Sequence, residues 1–396
     1  MSIMTRHISS TRLIRTYNAA TVLRTLYQYG SCSRSQLTKL TGMSPATITR
    51  IIAELMSQGI VLEGRTGKST GGRRPVYVHI DYTKLYIISI KLLRDQRTVA
   101  VLDLRGQILH KKDLDPSDLD PEVLIASSIA TANDLLKKYK INREHILGVG
   151  VAISGVVHHE AGLLVNSVNL GWENVPVAEL LDEGLGLPIY VENDANASAL
   201  AEFWFGHARD STNSMYIKTE TGAGVGLIIG KTLISGPQFL TGEIGHVPLI
   251  QNGQPCRCGQ KGCLETYVYL GDVLKRYKKA AGSAQTRAKF LSLVSEGEKA
   301  ALEIVGETAQ ALALACAGWG ILLDLDVITI GGLWGELKQE VVDYCQNYYT
   351  AVLDRTGIPR EVKITGASFG HDNDLLGAAG LVIDRWFVPY PVPLDR

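Results

Sequence analysis

The sequence predicts an α/β protein that carries a small helical domain at its N-terminus. Up to residue 84 it shows short helical patterns and then two strand patterns, whereas strands and helices alternate from residue 85 onward. A chain of 396 residues is too long for one core and implies two or three domains. Its hydrophobic fraction of 45% excludes wholesale disorder. Charge is divided unevenly along the chain. Residues 1–85 contain twelve Lys and Arg but only three Asp and Glu, so their net charge is +9, whereas the net charge of the remainder is −9.

The first helix of the N-terminal domain is predicted over residues 18–29. Its apolar stripe consists of Val22, Leu23, Leu26 and Tyr27. Gly30 follows at the place where a helix commonly ends in the left-handed conformation. The spacing therefore favours an amphipathic helix that ends at this glycine.

Two shorter helices follow and have the pattern of a helix-turn-helix. Ser33 and Gln36 have the spacing of a capping box, which predicts a helix beginning after Ser33. Ser44 and Pro45 are a cap followed by proline at the first helical position, and this next helix is expected to end near Gly59. Two short helices joined by a glycine turn are typical of a helix-turn-helix. The exposed positions of the types that contact bases and phosphates are Ser44, Thr47, Thr49 and Arg50.

A basic hairpin, or wing, is predicted after these helices. Strand-like residues 60–63 and 75–80 flank a glycine-rich turn, and Arg73 and Arg74 could lie along a DNA groove or a row of phosphates. A solvated basic face, or a helical domain that contacts protein, is the alternative interpretation. Because helices, wing and charge agree, we expect the domain of residues 1–84 to bind double-stranded DNA.

The remaining chain is predicted to be a layered α/β body. Strand patterns occupy residues 85–92 and 98–104, a helical pattern follows over 121–140, and a buried strand is expected over 146–153. No apolar run approaches the roughly 18 residues that a membrane helix needs, so we expect no membrane insertion.

Three of the six cysteines, Cys256, Cys258 and Cys263, lie within eight positions, and His246 lies ten residues before the first. Three thiolates and one imidazole complete a tetrahedral zinc set with no position left for water, which favours a structural zinc ion. An ordinary surface loop or a disulfide pair is the alternative. Free thiols and a thiolate metal site predict a reducing, cytoplasmic compartment.

Residues 242–265 read G-E-I-G-H and then C-x-C-G-x-x-G-C-L-E, which resembles the signature of the ROK family of repressors and sugar kinases. The resemblance covers about residues 5–388. The chain is similar to the sugar-responsive repressors of that family, which carry a winged helix-turn-helix at the N-terminus. The resemblance implies a two-lobed, actin-like body like that of sugar kinases. The first lobe would be residues 85–195, completed by a C-terminal helix at 374–388. The second lobe, residues 196–373, would hold the zinc and sugar sites.

The resemblance also implies which residues bind. The zinc ligands would be His246, Cys256, Cys258 and Cys263, and the sugar contacts would be Asn193, Asp194, Glu243, His246 and Glu265. His246 can serve both sites because its two ring nitrogens are distinct. Asp194 belongs to an E-N-D-x-N motif whose Asp is the general base in ROK kinases, although without the family it could be a helix cap. Residues 163–172 match the family's loop beside the sugar.

One segment departs from the kinase pattern. ROK kinases carry an Asp-x-Gly-Gly-Thr phosphate loop, whose glycines let the backbone approach phosphate oxygens. Residues 89–94 read S-I-K-L-L-R, with neither glycine nor Asp. A second glycine-rich turn at 219–226 contains Glu220, whose carboxylate would repel a triphosphate. We therefore expect no catalytic residue, with Asp194 as the base only if the protein is a kinase.

Together these features predict a DNA-binding transcriptional regulator of carbohydrate metabolism, most simply a repressor. Its expected partners are a palindromic DNA operator and a small sugar effector that biases the angle between the lobes. Palindromic sites demand a two-fold protein, which predicts a homodimer or homotetramer. An ATP-dependent sugar kinase that also binds DNA, and a regulator controlled by a protein partner, are the alternatives.

Overall fold

The chain folds into an N-terminal head and a body built on two five-stranded sheets. The computed structural model describes residues 10–66, 75–115, 119–219, 221–283, 285–357 and 360–387. The head comprises α1 (Ser10–Tyr29), β1 (Cys32–Ser33), α2 (Arg34–Thr41), α3 (Pro45–Ser57), β2 (Val61–Thr66) and β3 (Val76–Ile80).

The head is a winged helix-turn-helix, as the sequence predicts. Its sheet has the order β1-β3-β2, and the antiparallel strands β2 and β3 form the wing. Ser33 makes both hydrogen bonds of the capping box at α2, and Ser44 caps α3. The four residues of the predicted stripe on α1 are all buried. This helix begins at Ser10, earlier than predicted, and Arg15 in the added part pairs with Glu54 of α3 at 2.7 Å.

The first body sheet has the strand order β11-β7-β4-β5-β6. The elements of this part of the chain are β4 (Tyr86–Leu92), β5 (Arg97–Asp103), β6 (Ile108–Asp113), α4 (Pro121–Tyr139), β7 (Ile146–Ile153), β8 (Val156–His158), β9 (Leu163–Ser167), β10 (Trp172–Val175), α5 (Val177–Leu185), β11 (Ile189–Asn193) and α6 (Asp194–Trp204). The strands β10, β9 and β8 form a separate three-stranded sheet in that order. β4 pairs antiparallel with β5 and parallel with β7, which pairs parallel with β11. The segment 163–172, expected to be a loop, forms β9, a turn and the start of β10, because these strands pair with each other.

The second body sheet has the order β14-β13-β12-β15-β16. Its elements are β12 (Ser214–Lys218), β13 (Gly224–Ile229), β14 (Thr232–Leu233), α7 (Glu265–Val268), α8 (Leu270–Ala281), α9 (Arg287–Ser295), α10 (Lys299–Leu322), β15 (Val327–Ile330), α11 (Leu333–Glu336), α12 (Asp343–Thr356), β16 (Lys363–Gly366) and α13 (Asn373–Phe387). Among the described residues, α10 alone is long and apolar enough to cross a membrane by length and composition. Most of α10 is buried in the core of the second lobe, which accounts equally well for its composition.

Helices α6 and α13 pack against each other between the two sheets. α13 also lies on β4 and β7 of the first sheet, although it ends the described chain. α6 lies on β12 and β13 of the second sheet, although it follows the first sheet in sequence. The predicted boundary at residue 195 falls inside α6, so the two lobes share this helix.

Candidate functional site

The loop between β14 and α7 brings together one histidine and three cysteines. The ligand atoms of His246, Cys256, Cys258 and Cys263 all lie within 4.8 Å of one another. Cys256 Sγ lies 3.5 Å from His246 Nδ1, and Cys258 Sγ lies 3.7 Å from Cys263 Sγ. Tetrahedral zinc bonds of about 2.3 Å to sulfur and about 2.0 Å to nitrogen would require separations of about 3.5 Å and about 3.8 Å. The four side chains therefore fit a tetrahedral metal ion.

Turns that require glycine hold the cysteine loop in shape. Gly262 has φ 76°, and a Cβ there would lie 1.8 Å from the carbonyl oxygen of Ile250. The amide of Cys256 donates to the Gln260 carbonyl at 2.8 Å, which closes the turn between the first two thiols. All six cysteines are free, so the disulfide alternative is wrong. The loop instead presents its thiols toward His246.

A cavity of about 570 Å³ lies beside this cluster, between the two lobes. The structure brings all the sequence-predicted sugar residues to its wall, namely Asn193, Asp194, Glu243, His246 and Glu265. Further polar residues on the same wall are Ser154, Asn166, Asn169, Lys218 and Arg257. Of these, only the two asparagines belong to a segment that sequence reasoning placed beside the sugar.

Asn193 and Asp194 lie where β11 meets α6. Asn193 is the helix cap, because its Oδ1 accepts hydrogen bonds from the amides of Ala195 at 2.8 Å and Asn196 at 3.3 Å. Its Nδ2 donates to the Gly155 carbonyl at 2.9 Å. The capping role considered for Asp194 therefore belongs mainly to Asn193, which leaves Asp194 Oδ2 available to other partners.

Asp194 is paired with a lysine that sequence reasoning missed. Lys218 Nζ lies 3.1 Å from Asp194 Oδ2 and also contacts Asp374 Oδ1, and the three side chains are between 11% and 15% exposed. Burial raises the pKa of Asp194, and the Lys218 ammonium opposes that shift. Burial alone would lower the pKa of Lys218, but the two carboxylates raise it. The only signal in the sequence was a lysine immediately before the glycine-rich turn.

Glu243 and Glu265 face Asp194 from the side of the cysteine loop. Burial raises the pKa of Glu243, and the negative charge of Asp194 raises it further. Glu265 Oε1 lies 2.7 Å from the guanidinium of Arg257, which stands between two cysteines of the cluster. This guanidinium also lies 5.8 Å from the ring centroid of Tyr269. Arg257 therefore links the cysteine loop to a carboxylate of the cavity.

The segment that replaces the phosphate loop is part of a regular strand. β4 continues to Leu92, which is fully buried, and Lys91 is almost fully buried beside it. Lys91 Nζ donates to Gln96 Oε1 at 2.7 Å and to the His371 carbonyl at 3.0 Å. Residues 89–92 therefore continue a regular strand and carry side chains at positions where the kinase pattern has glycine. Glu220 lies outside the described residues.

The predicted DNA contacts on α3 lie on its first turns. Ser44, Thr49 and Arg50 are exposed, and Thr47 is partly exposed. The hydroxyl of Ser44 accepts from the Thr47 amide at 3.2 Å, and that of Thr49 donates to the Pro45 carbonyl at 2.9 Å. These local bonds occupy part of the hydroxyls' capacity, so Arg50 is the strongest candidate of the four. Arg73 and Arg74 lie outside the described residues.

Comparison with known proteins relates both parts of the chain to families. A model of the MarR family matches residues 16–62, and a model of the ROK family matches residues 87–385. The xylose repressor of Caldicellulosiruptor bescii is 28% identical over 345 residues, covering 83% of this chain and 86% of that protein. The DNA-binding transcriptional dual regulator NagC of Escherichia coli strain K12 is 27% identical over 290 residues, covering 73% and 68%.

One solved structure matches nearly the whole chain, and another matches about three quarters of it. A ROK family transcriptional regulator, a homologue of the E. coli MLC protein, superposes with a TM-score of 0.82 at 23% identity, covering 94% of this chain and 97% of that one. A ROK family glucokinase from Streptomyces griseus, in complex with glucose and AMPPNP, gives 0.64 at 23% identity and covers 75% and 98%. With the ROK model matching nearly the whole body, this chain belongs to the ROK family.

Proposed function

We propose that the protein is a transcriptional repressor of carbohydrate genes that binds DNA through its head and a sugar in the cavity between its lobes. The observation that carries this proposal is a winged helix-turn-helix joined to a kinase-like cleft in which Asp194, the base of the kinase alternative, is paired with Lys218. The relative named as a xylose repressor matches 83% of this chain, which supports the same conclusion.

The cavity suits a neutral, polyhydroxylated ligand. Its volume of about 570 Å³ falls in the usual range of small-molecule pockets, roughly 300–1,000 Å³. Carboxylates such as Glu243 and Glu265 can accept hydrogen bonds from sugar hydroxyls. Asn193 and Arg257 carry N–H groups that can donate to the oxygens of those hydroxyls. Asp194 and Glu265 are paired with Lys218 and Arg257, so the ligand meets a largely neutralised wall.

We further infer that His246, Cys256, Cys258 and Cys263 hold a structural zinc ion. Zinc would supply a rigid, closed attachment point for the loop and no open coordination position. Since His246 Nδ1 faces the cysteines, its Nε2 is the nitrogen left for a ligand hydroxyl. The same loop holds Arg257 beside Glu265, so metal binding and sugar binding should depend on each other.

The head supports DNA binding through α3 and the basic wing. Residues 1–85 carry a net charge of +9, which favours the phosphate backbone, and α3 carries exposed Arg50 at its first turns. A head of this type binds palindromic operators as a two-fold assembly, so we propose a homodimer or homotetramer.

A sugar kinase is the second candidate, because Asp194, Glu243 and Glu265 are present. Two observations disfavour it. Lys218 pairs with the carboxylate that would accept a proton from the sugar hydroxyl, so this carboxylate is already engaged. Buried side chains of β4 occupy the place of a phosphate loop, and phosphoryl transfer depends on positioning and charge neutralisation of the nucleotide.

The decisive experiment is capture of fragmented genomic DNA by the purified protein. Bound DNA is sequenced before and after washing with a panel of pentoses, hexoses, N-acetylhexosamines and their phosphates. We expect enrichment of a palindrome whose binding one sugar changes. If no sequence is enriched at low salt, the repressor proposal is wrong. Enrichment that no sugar of the panel changes would instead favour control by a protein partner.

A further inference from the structure

Two neighbouring helices connect the cavity with the DNA-binding head. α6 begins at Asp194, and α13 begins at Asn373, next to Asp374; Lys218 contacts both aspartates. At the other end the rings of Trp204 and Phe387 lie 5.6 Å apart. The helices therefore run in the same direction. Their 11 and 15 residues span about 16 Å and about 22 Å at 1.5 Å per residue.

The two helices pack too closely to slide past each other. A Cβ on Gly377 would lie 2.1 Å from the carbonyl oxygen of Ala197, and one on Gly380 would lie 3.2 Å from that of Leu200. Glycine on α13 thus brings the two backbones into direct contact. Asn373 Nδ2 also donates to the Ser198 carbonyl at 3.2 Å. Close-packed surfaces of this kind transmit a displacement as a unit.

At the head, this helix pair ends against Tyr27 of α1. The Tyr27 ring lies 5.6 Å from Trp204 and 5.1 Å from Phe387, and its hydroxyl donates to the Leu104 carbonyl at 2.7 Å. The guanidinium of Arg24, one turn earlier on α1, lies 5.8 Å from the Trp204 ring. The last residues of both helices are therefore part of the contact that orients the head on the body.

At the cavity, Lys218 joins the same helix pair to the second sheet. It ends β12, and its ammonium bridges Asp194 at the start of α6 and Asp374 at the start of α13. Ser198 Oγ adds a hydrogen bond to Asp374 Oδ1 at 3.0 Å. Asp194 and Lys218 both line the cavity. A ligand hydroxyl that donates to Asp194 therefore competes with Lys218 for the same carboxylate.

We propose that Lys218 is the positioning residue that couples sugar binding to DNA affinity through α6 and α13. This inference rests on the proposed function of the cavity and the head. Without sugar, one ammonium is shared by two carboxylates. When a sugar hydroxyl binds Asp194, Lys218 pairs more fully with Asp374, which shifts the helix pair relative to β12. Trp204 and Phe387 then shift beneath Tyr27 and reorient the head, which changes its affinity for the operator.

The alternative is that this buried ion triad only stabilises the fold. A structural role would change the unfolding temperature of a variant but not the ratio of operator affinities with and without sugar. That ratio, here called the sugar response, is therefore the measurement that separates the two roles. A response of about 5- to 150-fold is typical of coupled sites.

The test measures operator affinity of the full-length protein with and without the panel sugar to which the wild type responds. Asp374→Asn keeps hydrogen-bonding capacity but removes the charge that links Lys218 to α13, and Asp374 does not line the cavity. We expect sugar still to bind, more weakly because Lys218 then pairs only with Asp194, and the sugar response at saturating sugar to be reduced to less than about twofold. Arg276→Gln is the matched control, since this partly buried arginine of α8 pairs with Glu307 of α10, away from the helix pair, and it should keep the full response.

Trp204→Phe tests the far end of the same path and does not depend on whether Asp374→Asn folds. Phenylalanine has a smaller ring, so this change reduces the contact of residue 204 with Tyr27, which lies outside the cavity. We expect sugar to bind normally and the sugar response to fall at least about threefold. Sugar binding with a full response in either variant would overturn the role of the helix pair. A wild-type protein that binds its operator but responds to no sugar would overturn the proposed function, and this coupling with it.

Discussion

The charged side chains of the cavity are arranged in pairs rather than as isolated groups. Asp194 pairs with Lys218 and Glu265 with Arg257, while the pKa of Glu243 is raised by burial and by the charge of Asp194. Paired carboxylates can still accept hydrogen bonds from hydroxyls, but they attract free cations weakly. At the residue scale, this arrangement supports the neutral sugar that is proposed as the ligand of the cavity.

Cys258→Ser should remove most of the bound metal, because serine is a poor ligand for zinc and three ligands do not complete the tetrahedron. The second lobe should unfold at a lower temperature as a result. Metal content and thermal unfolding measure both effects. Cys345→Ser is the control, since Cys345 is buried outside the cluster; equal metal loss in both variants, or no loss in either, would contradict the zinc site.

Glu265→Ala should weaken sugar binding by roughly tenfold to a hundredfold, since it removes hydrogen bonds to a charged acceptor worth about 1.5–3 kcal/mol each. Operator affinity without sugar should not change, because Glu265 lies in the body far from α3 along the chain. Isothermal calorimetry and operator binding provide the two readouts. Glu296→Ala, an exposed change on the body, is the control, and unaltered sugar affinity in Glu265→Ala would exclude this glutamate from the site.

Asp384→Asn should stabilise the protein at neutral pH. Burial raises the pKa of Asp384 from 3.8 to about 6, against the opposing charges of Arg24 and Arg385. The native state therefore binds the proton more tightly than the unfolded state, and the stability that this proton contributes is lost as pH rises from about 4 to about 6.

Asparagine removes the cost of burying an ionised carboxylate at position 384. After allowance for the partial exposure of the side chain, the free energy of unfolding should rise by about 1–2 kcal/mol at pH 7.5 and change little at pH 4. Urea unfolding at the two pH values measures it. Asp354→Asn, an exposed site on α12, should show no such difference, and an equal gain at both pH values would exclude titration of Asp384 as the cause.

At the scale of elements, short-range signals predicted the head well. The capping box at Ser33 and the cap at Ser44 were read from a few adjacent residues and are present in the structure. The cap engages the hydroxyl of Ser44, and the same reading did not anticipate that the hydroxyl of Thr49 would donate to the Pro45 carbonyl. Recognition of DNA by α3 should therefore depend more on Arg50 than on these hydroxyls.

Arg73→Ala combined with Arg74→Ala should weaken operator binding and flatten its dependence on salt. Each lost phosphate contact reduces the slope of log affinity against log salt by about 0.9. Fluorescence anisotropy at several salt concentrations measures the slope. Arg355→Ala, an exposed change on α12, is the control. If the double variant keeps the wild-type slope, the wing does not contact DNA phosphates.

At the scale of the whole molecule, two features of the cleft oppose phosphoryl transfer. Lys218 pairs with Asp194, and the strand β4 places buried Leu92 where a phosphate loop would need glycine. Lys218 and Asp194 lie on the cavity wall where the two lobes meet, so both features count against the kinase alternative.

We therefore expect no sugar-dependent formation of ADP when the purified protein is mixed with ATP, magnesium and the sugar panel. A coupled assay detects turnover well below that of ordinary kinases, which is about 1–100 per second. Sugar-dependent turnover that Asp194→Asn abolishes would establish the kinase alternative. Turnover that persists in Asp194→Asn would point to a contaminating enzyme.

The sequence by itself determined the head, the cysteine cluster and the five predicted residues of the cavity wall, because each lies in a motif or cap formed by residues close together in the chain. Lys218 of the same wall lies in no such motif. Only the tertiary structure decided how these parts are joined. The ion triad links Lys218 to residues on two other elements, one of them 156 positions away, and the Tyr27 hydroxyl bonds a carbonyl 77 positions away. Such contacts arise when the sheets and helices pack, and no local pattern of residues specifies them.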